Sequence, residues 1–171
     1  MQSNFPAAVA ATLRHEGGWS DHPDDPGGAT MRGITLGVYR SYLGRNATKD
    51  ELRAIADDDL NAIYRKRYWD ACKCDALPSG VDCAVFDAAV NSGPGRAAKL
   101  LQSAVGVTAD GSIGPVTIKA ACDADPIKTI ETICEERLEF LRSLPTFETF
   151  GKGWTSRVNS VRAEAIALAK A

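Results

Sequence analysis

Apolar residues recur at helical spacing along most of the chain, and the places where that period fails are as informative as those where it holds. Phe5, Val9 and Leu13 fall on one face of a first helix, with Ser3 as its cap and Pro6 tolerated near its start, and Gly17 and Gly18 end it. From Gly18 to Thr35 the pattern collapses into a Gly, Pro and Asp-rich segment without period, read as a long loop whose one stretch open to a strand reading is Thr30 to Thr35. Loops of that length inside a small domain tend to carry function.

The helical period returns with Leu36, Tyr39 and Leu43, stopped by Gly44. Thr48 and Glu51 have capping-box spacing, and Asp57, Asp58 and Asp59 suit the start of a helix whose buried face is Leu60, Ile63, Tyr64 and Tyr68. After a break from Trp69 to Gly80, helices are predicted from Val81 to Asn91, from Arg96 to Val105 and, past the Gly114-Pro115 turn, through Ile118. Asp125-Pro126 opens a helix carrying Ile127, Ile130, Cys134, Leu138 and Leu141, expected to be the longest. A last helix is expected from about Trp154 to Ala169, preceded by an aromatic turn of Pro145, Phe147 and Phe150. The fold class is therefore all-α, with at most a very short hairpin near the loop. No linker or repeat divides residues 1–171, so one domain is expected, with an N-terminal part over 1–80 and a helical part over 81–171.

Composition narrows the partners. A length of 171 residues, 44% hydrophobic, supports one real core, and a formal charge of -2 gives no general attraction to nucleic acid. From Arg137 onward six basic residues face three acidic ones, a bias that suits an anionic polymer and equally a solvated helix face. The five cysteines are odd in number and lack C-x-x-C spacing; Cys83, Cys122 and Cys134 sit in apolar-periodic stretches and are expected to pack in the core, with a disulfide left open. Met1 to Leu13 does not read as a secretory signal and no stretch is apolar enough to span a bilayer, so a monomer made in the cytoplasm, without stable membrane association, is expected.

The candidate chemistry lies in and around the long loop. Glycoside hydrolysis needs an acid to protonate the leaving oxygen and usually a carboxylate that handles water or attacks the sugar. Glu16, at the end of the first helix and near Trp19, is placed where the helix dipole and desolvation both favour a protonated carboxyl. Asp25 sits among turn glycines whose N–H groups favour its ionised form, and Thr30 offers a hydroxyl to hold water beside it. Thr35 is read as a helix cap. Trp19, Arg32 and Asn91 are candidates for lining the substrate cleft, while Tyr68 and Trp69, although able to stack on sugars, read better as core. His15, Asp21, His22 and Asp25 are the one conceivable metal set, without the H-E-x-x-H of a metallopeptidase; no metal and no cofactor is expected.

Glu16-Gly-Gly-Trp19, Asp25-Pro-Gly-Gly-x-Thr30 and Gly33-Ile-Thr35 together resemble the signature of glycoside hydrolase family 108, lysozyme-like N-acetylmuramidases of phage endolysins and related bacterial proteins. The resemblance continues through Phe86-Asp-Ala-Ala-Val-Asn91-Ser-Gly93, and Leu101-Gln102 to Gly111-x-Ile-Gly-Pro115 resembles a wall-binding repeat. It implies a two-lobed lysozyme-like helical fold, Glu16 as the acid cleaving the N-acetylmuramic acid to N-acetylglucosamine bond, Asp25 and Thr30 as its partners, and peptidoglycan strands as substrate, met in the periplasm or wall of a phage or prophage host after release. A lytic transglycosylase, and a wall-binding or secretion-assisting module without activity, are the competing readings.

Overall fold

The computed structural model describes residues 4–21 and 28–171. Among the described residues nine α-helices surround one core, and a small three-stranded sheet stands beside it. The mostly helical, lysozyme-like architecture expected from the sequence is present.

Helix α1 (Phe5–Leu13) buries Phe5, Ala8, Val9, Ala11 and Thr12. Ser3, expected to cap it, lies outside the described residues; Asn4 occupies the cap position, and its amide donates instead to Ser79 and Asp82. The sheet is antiparallel, in the order β1 (Trp19–Ser20), β2 (Thr30–Met31), β3 (Ile34–Thr35), with Trp19 opposite Met31 and Thr30 opposite both Ser20 and Thr35. Only β2 and β3 lie in the stretch read as strand. β1 was not foreseen because two residues carry no alternation to detect. Arg32 and Gly33 join β2 to β3 with φ of 48° and 78°, the two positive values a tight type I′ hairpin turn requires.

Helix α2 (Leu36–Leu43) starts at Thr35, whose hydroxyl accepts from the Val38 N–H, and ends at Gly44 with φ 67°. The capping box forms at α3 (Lys49–Arg53): Thr48 Oγ1 accepts from Glu51 N–H and Glu51 Oε2 from Thr48 N–H. Helix α4 (Asp57–Tyr64) carries its three aspartates in the first turn, as dipole compensation requires, and runs into a π-helical turn over Arg65–Trp69.

Helix α5 (Val81–Ser92) is the axis of the molecule, packed against α1, α6 (Pro94–Ala104), α8 (Pro126–Arg142) and α9 (Phe147–Lys170); α7 (Pro115–Asp123) completes the outer side. Its nine buried residues include two aspartates, Asp82 and Asp87. The core runs from Phe5 of α1 to Ala165 of α9, with Phe5, Trp69 and Phe86 in mutual edge-to-face contact at 5.3–6.0 Å. Trp69 is fully buried and donates to Asp75, so it is core and not a sugar platform. Gln102 organises the turn before α7: its amide donates to Asp110, the Ser112 carbonyl and Thr117, and its oxygen accepts from Gly111 N–H.

Two expectations about the C-terminal helices fail for one reason. The longest helix is α9, at 24 residues, and α8 has 17. The segment read as an aromatic turn is the first turn of α9, because Gly151, which reads as a breaker, gives the Phe147 ring its space: a Cβ there would stand 2.7 Å from the ring. The half-buried Phe147 ring, one turn earlier, packs into that space, and the helix tolerates the roughly 1 kcal/mol propensity cost of the glycine. Of the three cysteines expected in the core, Cys83 and Cys134 are buried and Cys122 is exposed on α7; Cys72 and Cys74 are buried as well, and all five are free thiols. Among the described residues no helix is long and apolar enough to cross a membrane.

Candidate active site

After α1 ends, two backbone bonds, His15 N–H to Thr12 and Glu16 N–H to Leu13, curl the chain for one more turn and bring Glu16 against the core. Its carboxyl is 18% exposed and lies between two structures. On one side is the hairpin turn: a Cβ at Gly33 would sit 2.9 Å from Glu16 Oε2 and 2.5 Å from the Tyr64 hydroxyl, so no side chain fits between turn and carboxyl. That hydroxyl donates to the Arg32 carbonyl, and burial, then the Glu16 charge, pushes its pKa up, so it remains a proton-bearing clamp on the turn. On the other side is α9, whose Arg157 Nη1 donates to Glu16 Oε1 at 2.8 Å.

Arg157 leads inward to a buried ion network. Its Nε and Nη2 donate to Asp87 at 2.8–3.1 Å, and Asp87 also accepts from Arg137 Nη1 at 2.7 Å and from the Thr12 hydroxyl at 3.0 Å. Arg137 in turn donates to Asn91 at 3.1 Å. Two carboxylates and two guanidiniums thus make a formally neutral chain, Glu16, Arg157, Asp87, Arg137, joining the loop after α1 to α5, α8 and α9. Burial pushes the Asp87 carboxyl up, but Arg137 and Arg157 outweigh it and hold it below the usual aspartate value. Burial opposes the charge on Arg157 too, and Asp87 and Glu16 overcome it.

The other sequence candidates are distributed around this centre. Asp25 lies outside the described residues, as does His22 of the conceivable metal set; Asp21 of that set is paired with Lys49 at 2.9 Å. Thr30 is half-buried on β2, its hydroxyl donating to the Gly28 carbonyl at 3.2 Å. Trp19, expected to shade Glu16, lies under the Arg53 guanidinium, 5.5 Å from it. Arg32, a candidate for lining the cleft, pairs with the exposed Asp57 at the start of α4, 2.6 Å away. Asn91, near the end of α5, ends the ion network and lines a 400 Å³ concavity with His15, Arg157, Trp154 and Phe150.

Arg157, Asp87, Arg137 and Tyr64 were not singled out as site residues from sequence, although a signal for the first three existed. Asp87 stands in the apolar run Val85-Phe86-Asp87-Ala88-Ala89, where a buried charge demands a partner. Arg137 lies between Cys134 and Leu141, and Arg157 between Trp154 and Val161, on the apolar faces of their helices. The basic excess read as a solvated face is therefore partly wrong: at 1% and 7% exposure, Arg137 and Arg157 are interior residues.

Comparison with known proteins bears on this arrangement. A family model described as Glycosyl hydrolase 108 matches residues 9–93, and one described as Predicted Peptidoglycan domain matches residues 96–159. The solved structure of Brucella abortus SagA is similar over 100% of this chain and 98% of that chain, with a TM-score of 0.89 and 44% sequence identity. No curated protein matches. Glu16 and Asp87 fall in the first matched segment and Arg137 and Arg157 in the second, so the ion network spans both.

Proposed function

Because this chain belongs to the glycosyl hydrolase 108 family and carries a peptidoglycan domain, we propose that it is an N-acetylmuramidase, hydrolysing the β-1,4 bond between N-acetylmuramic acid and N-acetylglucosamine. The observation that carries the reading is the seat of Glu16: a mostly buried carboxyl between a hairpin turn whose Gly33 must lack a side chain to sit against it and the guanidinium of Arg157, 141 residues along the chain. Glu16, a carboxylate in its resting pair with Arg157, takes up a proton before the bond breaks and gives it to the bridging oxygen as the bond from that oxygen to the anomeric carbon breaks. Arg157 then faces the carboxylate left behind. Asp25, with the Thr30 hydroxyl, orients the water that adds to the anomeric carbon and takes its proton. Both belong to the motif that continues into the hairpin over Glu16.

The chain acts as one catalytic domain on this reading, supported by a core that runs unbroken from α1 to α9 and by a network that ties both matched segments to Glu16. Its place of action is the periplasm or wall, reached after synthesis in the cytoplasm, in the manner of a phage or prophage endolysin. The same ion pairs would also hold together a scaffold that binds strands without cutting them, and the test separates the two.

Wild type should clear purified sacculi and release muropeptides with reducing N-acetylmuramic acid ends. Glu16→Gln should lose activity by about 10²- to 10⁴-fold while sedimenting with sacculi and keeping its circular dichroism. Anhydro ends would assign a lytic transglycosylase, sedimentation without clearing by wild type a binding module. Full activity in Glu16→Gln would remove Glu16 from the mechanism.

A further inference from the structure

The concavity beside Glu16 has an aromatic side that the hydrolytic chemistry does not require. Phe150, on the first turn of α9, is 54% exposed, one of three large hydrophobic residues so exposed among the described residues. It lies one turn from Trp154, ring centroids 5.8 Å apart and planes at 34°, and Phe147 backs Trp154 from 6.3 Å. The rings thus form a buttressed surface, not a single loose side chain. Facing it are Arg157, bonded to Asp87 and, through Nη1, to Glu16, and Asn91, whose amide oxygen is occupied by Arg137 and Ser92. His15 completes the wall, and its Nε2 is buried with no hydrogen-bond partner among the described residues. A volume of 400 Å³ falls within the roughly 300–1,000 Å³ of small-ligand sites.

A pyranose ring suits this combination. One of its faces is lined with C–H bonds and lies flat on an aromatic surface, while its equatorial hydroxyls and acetamido group need donors and acceptors at the rim. We propose that Phe150 and Trp154 of α9, with His15 and Asn91, form a sugar subsite that seats an N-acetylated hexosamine of the glycan strand adjacent to the bond held at Glu16. The proposal rests on the muramidase reading for the direction of the strand, and on the concavity alone for the ligand class. It assigns the start of α9, which the sequence left as a turn, to substrate recognition.

The test uses full-length Glu16→Gln protein and soluble, uncross-linked glycan strands whose stem peptides have been removed by an amidase, with affinity read by calorimetry. In that background Phe150→Ala should weaken binding on the order of 3- to 10-fold. Phe150→Leu, which keeps apolar bulk for the helix, should weaken it similarly, and Phe150→Tyr should restore it. Tyr42→Ala, at an exposed aromatic outside this concavity, should change nothing. Unchanged affinity in Phe150→Ala and Phe150→Leu would overturn the subsite, as would an equal loss in Tyr42→Ala, or Phe150-dependent binding of the free stem peptide in place of the strands. If wild type fails to cut sacculi but Phe150 still governs strand affinity, the subsite stands and the hydrolase reading falls; cutting without any Phe150 effect is the reverse.

Discussion

Replacing Asp87 by asparagine keeps the side-chain volume and removes one charge from the centre of the molecule. The Asp87 carboxylate is fully buried between the equally interior Arg137 and Arg157 and receives hydrogen bonds from both. In the variant Arg137 loses its carboxylate and Arg157 retains only Glu16, so the buried cluster passes from formally neutral to a net single positive charge. An asparagine amide N–H2 group would in addition face an arginine donor. Breaking a buried pair by removing one partner costs about 3–5 kcal/mol, mostly from the charge left uncompensated. Against a total stability of about 5–15 kcal/mol this leaves a folded but weakened protein, and at about 2–4 °C per kcal/mol for a chain of this size the melting temperature should fall by roughly 6–20 °C. Urea unfolding followed by circular dichroism at pH 7 measures the loss directly. Acid adds an internal check. Since folding lowers the Asp87 pKa, the unfolded chain binds the proton first as the pH drops. The stabilisation is thus complete above the ordinary aspartate range and is lost as pH falls through that range toward the folded value, so parent and variant should converge below about pH 4. A loss at pH 7 smaller than about 1 kcal/mol, or a gap that does not narrow in acid, would refute the claim that this network holds the fold together.

Gly33→Ala combines a positive φ of 78° with contact to Tyr64 and Glu16, so it should cost about 1–3 kcal/mol in a thermal melt and lower the clearing rate of sacculi more than a neighbouring surface change does. In thiol labelling of the native chain near pH 8, Cys122 should react alone, because Cys72, Cys74, Cys83 and Cys134 are buried and burial pushes the Cys72 thiol up to about 12; labelling of all five should appear only in denaturant. Rapid native labelling of Cys72 would contradict the packing around α5.

Local rules explain what the sequence revealed. Thr35 and Gly44 bound α2, Thr48 and Glu51 cap α3, and Asp125-Pro126 opens α8, because each signal acts within a few residues of where it is written. Glu16 stood out through its neighbourhood of glycines and a resemblance that implies its role, and the fold places it against the core. What stayed hidden depends on contacts far along the chain. Asp87 was visible as a charge among apolar residues, but nothing local says that its partners are Arg137 and Arg157, 50 and 70 residues away. The start of α9 was misread because helix propensity penalises Gly151, while the ring that fills its place becomes visible only once the helix is built. β1 escaped because its pairing partner lies beyond the long loop.

The arginine that touches Glu16 is 141 positions distant in the chain. A fragment confined to residues 9–93 would thus carry the recognisable hydrolase motif and lack the guanidinium that braces its carboxyl. During synthesis the Glu16–Arg157 pair can form only after α9 has emerged and docked. The same dependence ties the two family-matched segments, residues 9–93 and 96–159, to one carboxyl.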